Sequence, residues 1–172
     1  TAVATGLGDR CGVVAFDREV RAVVPPASSR AQLSRVVEAL YDLEPALSES
    51  DYAEAFAETL ARFRRRALLV VLTELGPSVE EWLVPALPLV VKDHIVVVAA
   101  VRDPDVARWS AAAPEDAPAT YRRVAAVAAL EDRRRTVARL RGLGATVVDA
   151  APGRLAPALA DTYLQLKATG RL

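Results

Sequence analysis

The chain has 172 residues (18.4 kDa), a length that suits one ordinary domain, and it sets 22 Lys+Arg against 22 Asp+Glu. A formal net charge of zero argues against a polybasic footprint for nucleic acid or a membrane surface while leaving room for a local patch, and 52% hydrophobic against 26% charged residues excludes a chain disordered by composition. One cysteine (Cys11) excludes an internal disulfide framework, one histidine (His94) excludes a multi-histidine metal site, and no apolar run approaches the roughly 20 residues needed to span a bilayer.

The chain contains no Met and shows no signal-peptide pattern at its start, so it reads as a processed product or a piece of something longer. Cys11–Phe16 (CGVVAF) is the first strand candidate. Val20–Val24 follows after three residues, too few for a parallel crossover, so it is expected to pair antiparallel at a sheet edge, where Pro25-Pro26 is tolerated. Ser28 or Ser29 can cap a helix over Arg30–Leu43, with Leu33, Val36, Val37 and Leu40 on its inner face. Asp51 can cap a second over Tyr52–Arg65, with Ala55, Phe56 and Leu60 inward. Ala67–Thr73 (ALLVVLT) is a strand. A helix follows Ser78, with Glu81 at the capping-box position and Pro85 and Pro88 kinking or dividing it.

Ile95–Val101 (IVVVAAV) is the third long strand, and Asp103-Pro104 opens a short helix over Asp105–Ser110. Ala111–Pro118 reads as a loop. A long helix covers Thr120–Leu143, punctuated by Gly142 and Gly144. Thr146–Val148 is the last strand core, and Pro152 opens a final helix to Lys167. The main strand runs are continuous rather than alternating, as in strands buried on both faces. Strands alternating with helices predict a doubly wound α/β fold: a mostly parallel sheet, one antiparallel edge strand, and helices on both faces.

In such a sheet, binding residues gather after the C-terminal ends of strands. Those ends carry Asp17, then Thr73-Glu74, then Arg102-Asp103, then Asp149, an acidic rim with Arg102 in it. The plainer reading is that these acids cap helices and solvate loop ends. Gly6-x-Gly8 precedes a strand instead of following one, so it is no dinucleotide fingerprint, and no P-loop occurs. A Cys11–His94 dyad is disfavoured, because Cys11 opens an apolar run where a thiol is inert. The runs Arg64–Arg66 and Arg133–Arg135 could hold phosphate, but solvated helix faces explain them more simply.

Several segments carry a resemblance. Asp9-Arg10-Cys11-Gly12-Val13-Val14-Ala15-Phe16-Asp17 resembles the "GDRVGLVAF" strand of von Willebrand factor A-type domains. Ser50-Asp51-Tyr52-Ala53-Glu54-Ala55-Phe56 resembles their "T-D/N-L-x-E-A-L" segment, and Leu69–Glu74 resembles their "vvllTD" strand end. Arg30-Ala31-Gln32-Leu33, Ala99–Pro104, Tyr163–Lys167 and Gly170-Arg171-Leu172 are similar to one bacterial branch, the domain of unknown function fifty-eight family. The resemblance implies one von Willebrand factor A-like domain over 1–172, incomplete at its N-terminus. It implies a non-catalytic adaptor or protein-interaction module that works with a MoxR-type AAA+ ATPase. It also implies a cytoplasmic domain of a membrane-anchored bacterial parent, with no nucleic acid and no direct membrane contact from this segment.

A-type domains hold Mg²⁺ through an Asp-x-Ser-x-Ser loop, a Thr and an Asp. Here the loop would lie before residue 1, the Thr position falls on Ser50, and the Asp position falls on Glu74, one methylene longer. The resemblance therefore implies a metal site reduced to Ser50 and Glu74, with no bound cofactor expected, Mg²⁺ included. It also implies that a central strand is missing between the strands at Cys11–Phe16 and Ala67–Thr73. Direct pairing of those strands, strand exchange in a homo-oligomer, or residues outside this chain would fill the gap. Partner binding is assigned to the edge at Asp17, Glu74, Arg102 and Asp103. The alternative is a Rossmann-like enzyme domain that binds a small phosphorylated or nucleotide ligand at the same edge; it lacks a Gly-rich phosphate loop within these residues.

Overall fold

The β-branched runs form the strands and the periodic segments between them form helices, giving a mixed α/β protein. The structure, a computed structural model, describes residues 1–44 and 48–172. Those residues fall into two compact units, Thr1–Arg65 and Arg66–Leu172. Their strands pair in two separate sheets, one two-stranded and one three-stranded.

Unit 1 opens with the short helix α1 (Ala2–Gly6), followed by strands β1 (Cys11–Phe16) and β2 (Val20–Ala27). They form the expected antiparallel pair, but as a two-stranded sheet of their own and not as the edge of the parallel sheet, and β1 does not pair with the strand at Leu68–Leu72. β2 runs three residues past Val24, so both prolines lie inside it. Register shifts at Cys11/Val13 and Ala15/Phe16 bulge the ladder. The first bulge sits where the backbones crowd: a Cβ on Gly12 would lie 2.6 Å from the Val24 carbonyl oxygen.

Pro25 and Pro26 have no N–H to donate, so ladder carbonyls there need another donor. Gln32, at the start of helix α2 (Gln32–Tyr41), supplies it. Its Nε2 donates to the carbonyls of Cys11 (2.7 Å) and Pro25 (2.9 Å). The side chain is fully buried, and its Oε1 finds no partner among the described residues. Helix α3 (Tyr52–Arg62) starts as expected, with the Asp51 carboxylate accepting from the Glu54 N–H at 2.9 Å. Tyr52 packs edge-on to Phe16, ring centroids 5.4 Å apart, and Ala55 and Phe56 are buried beside it.

Unit 2 holds the parallel sheet, in the order β3 (Leu68–Leu72), β4 (Ile95–Val101), β5 (Thr146–Ala150). The central strand β4 buries every residue from Ile95 to Ala100. Each large aliphatic side chain there contributes about 1.5–3 kcal/mol over the exposed state. β3 differs from the expectation of burial on both faces: Val70 and Leu72, which point to the same face, are exposed. Its start is tied by His94, whose buried Nδ1 accepts the Ala67 N–H at 3.1 Å. That bond commits His94 to a structural role.

The segment with Pro85 and Pro88 divides into a π-helical turn (Val79–Leu83) and short helices α4 (Val84–Ala86) and α5 (Pro88–Val91). Ser78 makes no side-chain cap there, since its own backbone is already helical. Helix α6 (Pro104–Ala111) is capped by Asp103, which accepts from the Asp105 N–H at 2.8 Å. Helix α7 (Ala117–Gly142) begins three residues before the expected Thr120, because Asp116 caps it through the Ala119 N–H and Pro118 suits the first turn. Gly144, at φ +97°, reverses the chain after α7 into β5. Helix α8 (Leu155–Ala168) closes the core formed by Ile95, Val97, Ala99, Val148 and Leu166.

Candidate functional site

The expected rim residues divide between the two units, Asp17 and Ser50 in unit 1 and Glu74, Arg102 and Asp103 in unit 2. In unit 1, Asp17 follows directly on β1. Its backbone N–H donates to the Glu19 carbonyl at 3.0 Å, its Oδ1 accepts the Glu19 N–H at 3.1 Å, and its other oxygen pairs with Arg21. The Glu19 backbone N–H first, then the Arg21 guanidinium, hold the Asp17 carboxyl below the usual carboxylate range. The Asp51 N–H donates to the Asp17 carbonyl at 2.8 Å, which sets half-buried Ser50 beside the end of β1. So the structure does bring Asp17 and Ser50 together. The Asp17 carboxylate, however, serves the hairpin turn, and the Asp51 carboxylate serves the α3 cap.

In unit 2 the sheet's C-terminal edge is organised by a residue that the sequence reading treated only as part of a basic run. Arg133, on α7, turns inward and grips Asp149 with both arms: Nε to Oδ2 at 3.2 Å and Nη2 to Oδ1 at 2.8 Å. The same Nη2 donates to the Val101 carbonyl at 3.0 Å. The two side chains are 15% and 21% exposed, so the pair is largely shielded from water. Asp149 in turn lies 3.7 Å from the Arg102 Nε, while the Arg102 N–H donates to the Ala150 carbonyl at 2.8 Å. Arg102 is thus fixed at its backbone and steered at its head, with half of its side chain in solvent.

Asp103 stands next to it and spends one oxygen on the α6 cap. Glu74 is exposed in the turn after β3, where its carbonyl accepts the Gly76 N–H. Of the two arginine runs, Arg64–Arg66 is exposed, whereas Arg133–Arg135 splits, with Arg133 inward and Arg135 paired with Asp132 at 3.6 Å. A clue to Arg133 existed in the sequence: it lies three and seven residues before Thr136 and Leu140, both on the buried face of α7.

Among the described residues no group of three or more His, Cys, Asp or Glu side chains is placed to hold a metal ion. Taken within each unit, Ser50 has carboxylate neighbours already engaged in a turn and a cap, and Glu74 stands in an exposed turn. Those donors do not fit the hard, near-octahedral oxygen shell that Mg²⁺ requires. Cys11 and His94 also fall in different units.

A family model described as a protein of unknown function, DUF58, matches residues 1–112. No curated protein and no solved structure matches the chain.

Proposed function

The chain belongs to the DUF58 family, whose function is unknown, and from that membership we propose that it is a non-catalytic protein-interaction module of von Willebrand factor A-like type. In this reading the parallel sheet of unit 2 and the hairpin of unit 1 are parts of one doubly wound domain, and the module docks a protein partner through strand-end residues. The partner proposed is a MoxR-type AAA+ ATPase, and the parent a membrane-anchored bacterial protein that presents this domain to the cytoplasm.

The observation that carries the reading is the arrangement around Arg102. Arg133 fixes Asp149, and Asp149 steers Arg102, so a guanidinium is held ready at the sheet edge with Asp103 beside it. Charges fixed in advance give specificity and fast association at low ordering cost, which suits recognition of a charged protein surface. The test is isothermal titration of the purified MoxR-type ATPase against this chain and its Glu74→Ala and Arg102→Ala variants. Each variant is expected to bind about fivefold to tenfold more weakly, or roughly 1–1.4 kcal/mol, with its fold unchanged. Unchanged affinity in both variants would remove this edge from the reading, and no binding by the wild type would remove the partner.

A further inference from the structure

We propose that two copies of this chain join edge to edge through β3, which pairs antiparallel with itself about Val70 and so makes one sheet across the dimer. The backbone of β3 shows the open edge. The Ala67 carbonyl accepts the Ile95 N–H and the Thr73 N–H donates to the Ala99 carbonyl, each at 3.1 Å. Successive residues of a strand turn their N–H and C=O groups to opposite sides, so Ala67, Leu69, Val71 and Thr73 serve β4. Leu68, Val70 and Leu72 turn theirs to the outer edge, where no protein donor or acceptor meets them among the described residues. Val70 and Leu72 also have exposed side chains, at 43% and 68%. Open edges are ordinarily blunted by a proline, a bulge or a lysine. The β1–β2 hairpin has two prolines and bulges. β3 has none of these devices: LLVVL is apolar throughout, and its register with β4 is unbroken.

The edge is complementary to itself, which selects a second copy as its occupant. A two-fold axis through Val70 sets Val70 opposite Val70 of the second copy and Leu68 opposite Leu72 of the second copy. Every outward residue then meets an outward residue, and each such pair exchanges two hydrogen bonds. The cross-strand side-chain pairs on the exposed face are Val with Val and Leu with Leu. Just past each end of the ladder, the same register sets Arg66 opposite Glu74 of the second copy, and the two-fold repeats that pair. Both side chains are exposed, and neither has an ion pair within its own chain among the described residues. Opposite charges facing across strands support the pairing and fix its register, since a shift by two residues in either direction loses the match. Arg66, Glu74 and β3 all belong to unit 2, so one unit makes the whole contact. The same patch meets itself, so the assembly closes at two copies.

The experiment is sedimentation equilibrium of the full chain from about 1 to 100 µM at low ionic strength. No ATPase is present, so the result stands apart from the docking titration. The wild type is expected to approach twice the 18.4 kDa chain mass as concentration rises, and nothing heavier. Val70→Lys changes an exposed side chain whose backbone faces away from β4, so it should keep the wild-type far-UV spectrum and stay monomeric. Arg66→Glu sets like charges together at both ends and should weaken the dimer about tenfold. Adding Glu74→Arg to it restores opposite charges and should return the Kd to within about threefold of the wild type. Amide hydrogen exchange reads the edge directly: protection of Val70 and Leu72 should rise with protein concentration, while Leu69 and Val71 are already protected by β4. A wild type monomeric throughout, dimers that survive Val70→Lys, a double variant no tighter than Arg66→Glu, or Val70 and Leu72 amides indifferent to concentration would each overturn the proposal.

Discussion

Arg133 is the side chain on which most of the unit 2 edge depends. It makes two bonds to Asp149 and one to the Val101 carbonyl, so it holds the ends of β4 and β5 from α7. Arg133→Met removes the fork while keeping much of the aliphatic stem, and leaves a shielded carboxylate without its partner. The expected cost is about 2–3 kcal/mol in urea unfolding followed by Trp82 and Trp109 fluorescence. Arg133→Lys should recover less than half, because an ammonium cannot match the planar two-armed geometry. A loss under about 0.5 kcal/mol for Arg133→Met would show that the pair contributes little. Asp17 makes a different prediction, in pH. Its folded pKa is lowered, by the Glu19 N–H first and Arg21 second. The stabilisation is therefore present above the unfolded carboxyl pKa of about 3.9 and is lost as pH falls through the lower folded value. Asp17→Asn should be less stable than the wild type at neutral pH, and the two should converge in strong acid. Parallel curves across denaturation series from pH 7 to pH 2 would contradict the assignment.

Elements differ in how firmly they are held. β4 is buried from Ile95 to Ala100 between two partner strands, whereas α6 contributes no buried residue and packs mainly along α7. The α6–α7 hairpin should therefore open far more readily than the sheet. In native-state hydrogen exchange, amides of Pro104–Ala111 and the first half of α7 are expected to exchange orders of magnitude faster than those of Val96–Ala100. Equal protection in both regions would show that the hairpin is part of the same cooperative core. The same contrast explains what could be read from the chain in advance. β1, β4 and β5 were legible because their apolar runs are short, β-branched and bounded by turn residues. The caps at Asp51 and Asp103 were legible because their chemistry is local. The α2 stripe was legible as a stripe, but periodicity does not say what covers it, and Leu33, Val37 and Leu40 remain exposed. β3 shows the same limit: LLVVL fixes a strand, but the run does not say that the face carrying Val70 and Leu72 stays uncovered. Gln32 and Arg133 were legible only as a polar residue near a helix start and one Arg in a run of three. Gln32 bridges to Cys11, 21 residues away, and Arg133 grips Asp149, 16 residues away, distances that local patterning does not span.

At the scale of the whole chain, the family match and the parallel sheet end in different places. The match stops at residue 112, just past α6. The sheet does not stop there: β5 pairs with β4 over Val97–Val101, and the core beside Ile95, Val97 and Ala99 is completed by Val148 and Leu166. Cutting the chain after Ala112 would bare one whole edge of β4, whose residues are otherwise buried, and would remove the side chains stacked on it. It would also remove Arg133, leaving the Val101 carbonyl without that donor. An apolar strand with an open edge is a template for aggregation. The 1–112 fragment is thus expected to lose cooperative unfolding and to aggregate at micromolar concentration, while the 172-residue chain stays folded under the same conditions. A soluble 1–112 fragment with cooperative unfolding would mean that β3 and β4 can be supported without β5, and that the matched region is itself a folding unit.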